Sequence, residues 1–215
     1  MTDREPVNIM GVIAFPNPNK DERVIRFIDS EYHTLFTIKD GESIVITRFD
    51  GEKMVFPCKY IDDCHVCIGN SAYHICEFAE MQERNGNTYG PSAPKISDEI
   101  GTYEIYQIPA IAAVDYCFRP YAEAKGKLQN ADYQRSYAGM YAKGNSLEDL
   151  WAKHNRDSRP FAHRMRSMSV SDIVVLTQGG RKTAYYADTI GFKKAPEFLA
   201  QQRAQKKHKE RGEAR

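Results

Sequence analysis

No run in this sequence approaches the roughly 18 consecutive apolar residues that a membrane-spanning helix needs, so no membrane partner is expected. The opening, Met1-Thr-Asp-Arg-Glu-Pro6, lacks the basic segment followed by an apolar one that marks a secretory leader, and a cytoplasmic location follows as the expectation. Cysteine occurs five times, an odd number that leaves no complete disulfide framework, and reduced thiols are expected. There is no glycine-rich phosphate cradle. Gln178-Gly179-Gly180-Arg181 is too short for one, and no Lys-Ser/Thr pair follows it into a helix. The six histidines give no local signature of a nucleophile beside its base, so no catalytic residue is named and no enzyme is expected.

What is present is an ordinary globular composition. Of 215 residues, 41% are hydrophobic and 27% charged, enough to bury a core and far from the disordered class. The length suits two small domains. The net charge of +1 hides an asymmetry: residues 1–103 carry 10 Lys+Arg and 17 Asp+Glu (net −7), and the remainder carries 20 and 12 (net +8). Such opposition marks surfaces for partners of opposite sign, or two domains that attract each other.

The pattern predicts an α+β protein of two small domains, each a short antiparallel sheet with one or more packed helices. In the first, residues 1–86, β-rich runs over Tyr32 to Ile38, Ser43 to Phe49 and Lys53 to Tyr60 are separated by Asp40-Gly41 and Asp50-Gly51, as in a meander. Asn8 to Phe15 adds an edge strand. Asn70-Ser71 caps a helix whose buried stripe is Ala72, Ile75, Cys76 and Ala79, ending at Asn85-Gly86. Residues 87–101 are rich in breakers and read as a linker. The second domain, residues 102–200, opens with a strand at Tyr103 to Ile108. A short capped helix follows at Ser146-Leu-Glu-Asp149 with Trp151 in the core, and then a hairpin of Ile173 to Thr177 with Lys182 to Asp188. Pro196 starts a last helix that runs into a basic tail, residues 201–215.

Cys64-His-Val-Cys67 has the two-residue gap that lets two thiolates bind one metal. Cys64 and Cys67 are therefore candidate ligands of a structural zinc, against buried reduced cysteines; no other cofactor is indicated. Asp62-Asp63 and Asp149 with Asp157 fit either metal-assisted hydrolysis or solvated surface carboxylates. The stretch from Lys153 to Arg166 interleaves Lys153, Arg156, Arg159, Arg164 and Arg166 with histidine and Phe161. It reads as a phosphate-contacting loop or as a solvated surface loop, and Lys206 and Lys207 of the tail add to the same candidate surface for nucleic acid or an acidic partner.

A resemblance enters at Ser146-Leu-Glu-Asp-Leu-Trp151, Ser167-Met-Ser-Val-Ser-Asp-Ile-Val-Val-Leu176, Thr183-Ala-Tyr-Tyr-Ala-Asp188, Ile190-Gly-Phe192 and Pro196-Glu-Phe-Leu199. With Tyr103-Glu-Ile-Tyr-Gln107 and Asp115-Tyr-Cys-Phe-Arg-Pro-Tyr121, these resemble the YodL-like domain over roughly Thr102 to Leu199. The first half, through Gly69-Asn70, His74-Ile-Cys-Glu-Phe-Ala79 and Met81-Gln-Glu-Arg-Asn-Gly86, is similar to small domains associated with the large polyvalent proteins of phages and conjugative elements. The resemblance implies a bacterial mobile element in which such domains travel with DNA-processing and anti-defence modules, and supplies no catalytic residues. The expected function is a non-enzymatic interaction protein that binds a host protein, as an inhibitor of a nucleic-acid-targeting defence nuclease of the anti-CRISPR or antirestriction kind. The alternative is a DNA- or RNA-binding accessory of conjugative transfer.

Overall fold

In this computed structural model the described residues are 7–9, 12–14, 23–93 and 100–213, with side chains described over 23–93 and 100–204. Strands β1 (Val7–Ile9) and β2 (Val12–Ala14) pair with each other as a short antiparallel ribbon, where the pattern predicts one edge strand. β3 (Val24–Ile28) pairs with β4 (Thr34–Lys39). β5 (Ser43–Thr47), β6 (Lys53–Tyr60), β7 (His65–Ile68) and β8 (Ser71–His74) follow, then α1 (Ile75–Arg84) and β9 (Thr88–Pro91). The first five-stranded sheet has the order β8-β7-β6-β5-β9.

Three expectations change here. Asp50-Gly51 does turn β5 into β6, but Asp40-Gly41 carries the chain between sheets: the Asp40 N–H donates to the Arg23 carbonyl and that of Gly41 to Cys58, so the meander breaks at its first joint. Ser71 to His74 is a strand, because left-handed Gly69 (φ +62°) lets the turn at Gly69-Asn70 fold β8 back on β7. The helix then starts at Ile75 with His74 as its cap, Nδ1 accepting from the Cys76 N–H, and its buried stripe is Ile75, Phe78, Ala79 and Gln82. Finally, Thr88–Pro91, which composition predicts as linker, is a strand that pairs with β5.

The second half holds β10 (Gly101–Gln107), a short α2 (Tyr121–Ala124), β11 (Gln134–Tyr141), α3 (Leu147–Asn155), β12 (Ile173–Gln178), β13 (Arg181–Ala187), β14 (Phe192–Lys194) and α4 (Pro196–Glu213). Its sheet is antiparallel throughout, in the order β11-β10-β12-β13-β14. The expected hairpin forms: Gly179 (φ +51°) and Gly180 (φ +73°) both take the left-handed backbone that a tight turn between β12 and β13 demands. The apolar run Ile173 to Leu176 is buried on both faces. Ile173 and Val175 pack with Ala184, Tyr186, Phe198 and Leu199, while Val174 and Leu176 pack with Tyr103, Ile105, Tyr137 and Leu150. Trp151 lies at the edge of that second cluster, partly buried against Phe192. The α+β class read from the pattern holds, as two antiparallel sheet groups with helices on them.

The two halves share their cores. Met140, in the last pleat of β11, and Ala142, just beyond its end, are two residues apart and buried in the cluster formed by β3 to β8, α1 and Tyr89. Phe49 from the first half packs into the cluster of the second, its ring centroid 5.0 Å from that of Phe161. Gly139 lets β11 pass the rings stacked beneath it: a Cβ there would lie 2.6 Å from Tyr137 Cε1 and 3.1 Å from Tyr103 Cε1. Both rings are fully buried, so Gly139→Ala is expected to lower unfolding free energy by about 2 kcal/mol in chemical denaturation, the usual scale of overpacking.

Candidate functional site

The capping box expected at Ser146 is present: its Oγ accepts from the Asp149 N–H at 3.1 Å, and Asp149 Oδ2 accepts from the Ser146 N–H at 2.7 Å. It fixes the start of α3, whose last turn then delivers Lys153 and His154 into the junction between the halves. Lys153 Nζ meets Glu83 Oε1 of α1 at 2.9 Å, with the two side chains only 10% and 13% exposed. Glu83 Oε2 also accepts from Ser30 Oγ at 2.8 Å, and its carbonyl accepts from Tyr137. His154 is fully buried, with Nε2 2.8 Å from the Tyr103 hydroxyl and Nδ1 without a partner. Burial, reinforced by Lys153, Arg156 and Arg159, pushes its imidazole down to about 3, so it is neutral at physiological pH.

The residues expected to contact phosphate have different surroundings: Lys153, Arg156 and Arg159 line one cleft, while Arg164 and Arg166 lie against Phe161 and Asp172. Lys153 is committed to Glu83, and Arg156 reaches Glu31 at 2.9 Å. Arg166 makes a two-pronged bond to the buried Asp172 at 2.5 and 3.0 Å. Arg164 lies over the Phe161 ring, 5.7 Å from its centroid. Arg159 lines an open cleft of about 640 Å³ between the halves, together with Lys153, Arg156, Glu31, Glu83 and Arg84. The side chains of Lys206 and Lys207 lie outside the described residues, although their backbone belongs to α4.

Cys64 is exposed in the turn before β7, and Cys67 sits in β7 with its Sγ near the Gly69 carbonyl. Among the described residues the one group that brings three ligand atoms within 4.8 Å is Asp29, Glu31 and His33, so Cys64 and Cys67 are not joined by a third donor. The Asp29 carboxylate there accepts from the Glu31 and His33 N–H groups and from His33 Nδ1, which fixes the turn between β3 and β4.

A second constellation joins the segments 115–121 and 167–176. Asp172 accepts from Arg166, from Gln107 Nε2 at 2.8 Å and from the Ser169 N–H at 2.9 Å. Burial pushes its carboxyl up against these donors. Ser171 is fully buried with φ +80°; its Oγ accepts from the N–H of Phe118, itself at φ +60°, and its carbonyl accepts from Tyr133. Phe118 is thereby held as a residue 46% exposed, and the Arg166 guanidinium lies over its ring, 5.4 Å from the centroid.

Residues 102–198 match the family model of the YodL-like domain. No curated protein and no solved structure matches the chain. The match spans the whole Phe118–Ser171–Asp172 constellation as well as Lys153, Arg156 and Arg159. Asp172 is legible as a turn residue before a buried strand. Phe118 gives no such signal, because its exposure follows from a left-handed backbone that only the distant Ser171 hydroxyl explains. Among the described residues of the YodL-like domain and the rest of the chain, no helix is long and apolar enough to cross a membrane.

Removing one partner of the junction pair leaves the other charge stranded. Lys153→Met is expected to cost about 3 kcal/mol of stability, and adding Glu83→Gln to recover most of that loss, in a double-mutant cycle read by denaturant unfolding. His154 sets an acid limit. Its folded value lies below the ordinary 6.5, so the unfolded chain binds the extra proton between about pH 3 and 6.5, and stability falls as pH falls through that window. A loss of about 2 kcal/mol between pH 7 and pH 5 is expected, and His154→Gln should flatten that slope.

Proposed function

We propose that this protein is a non-enzymatic interaction protein of a bacterial mobile element that binds a host protein in the cytoplasm through the surface centred on Phe118. The observation that carries this reading is the exposed Phe118 ring, fixed on a left-handed backbone by Ser171 and backed by Arg166. An exposed aromatic locked in place beside an arginine loses little conformational entropy on association, and these two residue types dominate the energetics of protein interfaces. The polar groups around it serve structure: Asp172 and the Ser171 hydroxyl are occupied by bonds within the domain. That supports binding rather than catalysis.

The partner class follows from the setting that the YodL-like resemblance implies, together with the likeness of the first half to small domains of polyvalent proteins. A defence nuclease that acts on nucleic acid offers a basic channel, and the acidic first half, net −7 over residues 1–103, is suited to occupy one. The competing reading, a nucleic-acid-binding accessory of conjugative transfer, is weakened because Lys153, Arg156 and Arg166 are already neutralised by internal carboxylates.

Affinity capture with the tagged protein from a nuclease-treated bacterial lysate, repeated with Phe118→Ala, tests the proposal. One stoichiometric nuclease is expected with the parent chain, bound at least about tenfold more weakly by the variant, equivalent to about 1.4 kcal/mol. Equal recovery by both, or nucleic acid alone in an untreated lysate, would overturn it.

A further inference from the structure

We propose that the cleft between the two halves is a binding site for a compact oxyanion, a phosphate monoester or a carboxylate, held by Arg159. The other cations of the basic stretch that line the cleft are satisfied: Lys153 by Glu83 and Arg156 by Glu31, each at 2.9 Å. Arg159 has no carboxylate within ion-pair distance among the described residues, and its Nε is buried without any acceptor. A desolvated guanidinium N–H without an acceptor is unfavourable, and a planar fork of donors accepts a carboxylate or phosphate through two parallel bonds.

The loop that carries Arg159 is held at both ends. On one side the Arg156–Glu31 pair ties it to the first half. On the other, Phe161 takes a left-handed backbone, φ +61°, and its ring is buried against Phe49 at 5.0 Å and Tyr137 at 6.1 Å. The Phe161 carbonyl then accepts from the N–H groups of Arg164 and Met165, closing the turn. Arg159 is therefore presented to the cleft by a braced segment. Arg84, at the end of α1, lines the same cleft from the opposite half and offers a second cation to the same anion.

The wall chemistry defines the size of the ligand. Glu31, Glu80 and Glu83 also line the cleft, so an extended phosphodiester backbone would run against carboxylates, whereas a single anionic group on Arg159 and Arg84 avoids them. A cleft of about 640 Å³ admits a small molecule around that group. Since it is lined from both halves, the ligand would bridge them and strengthen their junction by mass action. This site is separate from the Phe118 surface, and its test is independent of any host partner.

The test uses the full chain, titrated by calorimetry with inorganic phosphate, a nucleoside monophosphate and glutarate, each against chloride at matched ionic strength. At least one of the three is expected to bind the parent chain and to shift the backbone amide signals of Ser158, Arg159, Phe161, Ala162 and His163. Arg159→Gln is expected to weaken that binding at least about tenfold. Preference for the nucleoside monophosphate or for glutarate identifies whether the anion is carried by a phosphate monoester or by a carboxylate. Thermal unfolding of Arg159→Gln without ligand checks that the variant is folded. Binding no stronger than that of chloride, or binding unchanged in Arg159→Gln, would overturn the proposal.

Discussion

The Lys153–Glu83 pair is the constraint on which the junction depends. It joins the last turn of α3 to the last turn of α1 at a place where both side chains are nearly out of water, and each charge is tolerable there only because of the other. The Ser30 hydroxyl and the Tyr137 hydroxyl, which reaches the Glu83 carbonyl, complete the arrangement. Lys153 also fixes its neighbour. Once it faces α1, His154 is placed beneath β10 and β11, against the Tyr103 and Tyr137 rings, where only the neutral imidazole fits. Ion pair and buried histidine thus come from one helix end positioned by one capping box.

Backbone strain recurs around Phe118 and in the loop of Arg159, as it does at Arg23 and Tyr32. Phe118, Phe161 and Ser171 are non-glycine residues in the left-handed region, a conformation that costs on the order of 1 kcal/mol or more each and persists only where the surroundings dictate it. In each case they do. The Ser171 hydroxyl receives the Phe118 N–H, the Tyr133 hydroxyl holds the Ser171 carbonyl, and the Phe161 ring fills the space beside Phe49 and the backbone of Gly86. The consequence is an exposed ring at Phe118 and a braced guanidinium at Arg159, two features that a relaxed loop would not hold still.

Periodicity made much of the second half legible. Continuous burial of Ile173 to Leu176, the Gly-Gly turn, the Ser146 capping box and the Pro196 helix start all act through neighbours a few residues away, and each is found as the pattern predicts. In the first half, local signals pointed to the wrong partners. Asp40-Gly41 has turn chemistry, yet β4 lies beside β3, because pairing is decided by packing of Phe27 against Phe36 at 4.9 Å and not by the turn. Thr88–Pro91 carries the composition of a linker but pairs with β5, burying Tyr89 among Phe27, Phe36 and Phe78. For the site, sequence identified the cations but not their fates. Whether an arginine faces solvent, as at Arg164, or a buried carboxylate, as at Arg166, depends on residues that the chain brings together only on folding.

The charge asymmetry between the halves has a corresponding double role. The pairs Lys153–Glu83 and Arg156–Glu31 draw one partner from each half, so part of the opposition is a cohesive force within the molecule. Neutralising those two charges on each side leaves residues 1–103 at −5 and the remainder at +6, so these two pairs cancel only a small part of the asymmetry. A molecule with opposite charge on its two halves is oriented by the field of a partner before contact, which raises the rate of productive encounters more than the final affinity. In the proposed interaction, affinity would come from an anchor that loses its water on contact, and exposed Phe118 against Arg166 is the candidate for it within residues 102–198. Long-range charge would thus set the approach, and the strained loop would set the contact.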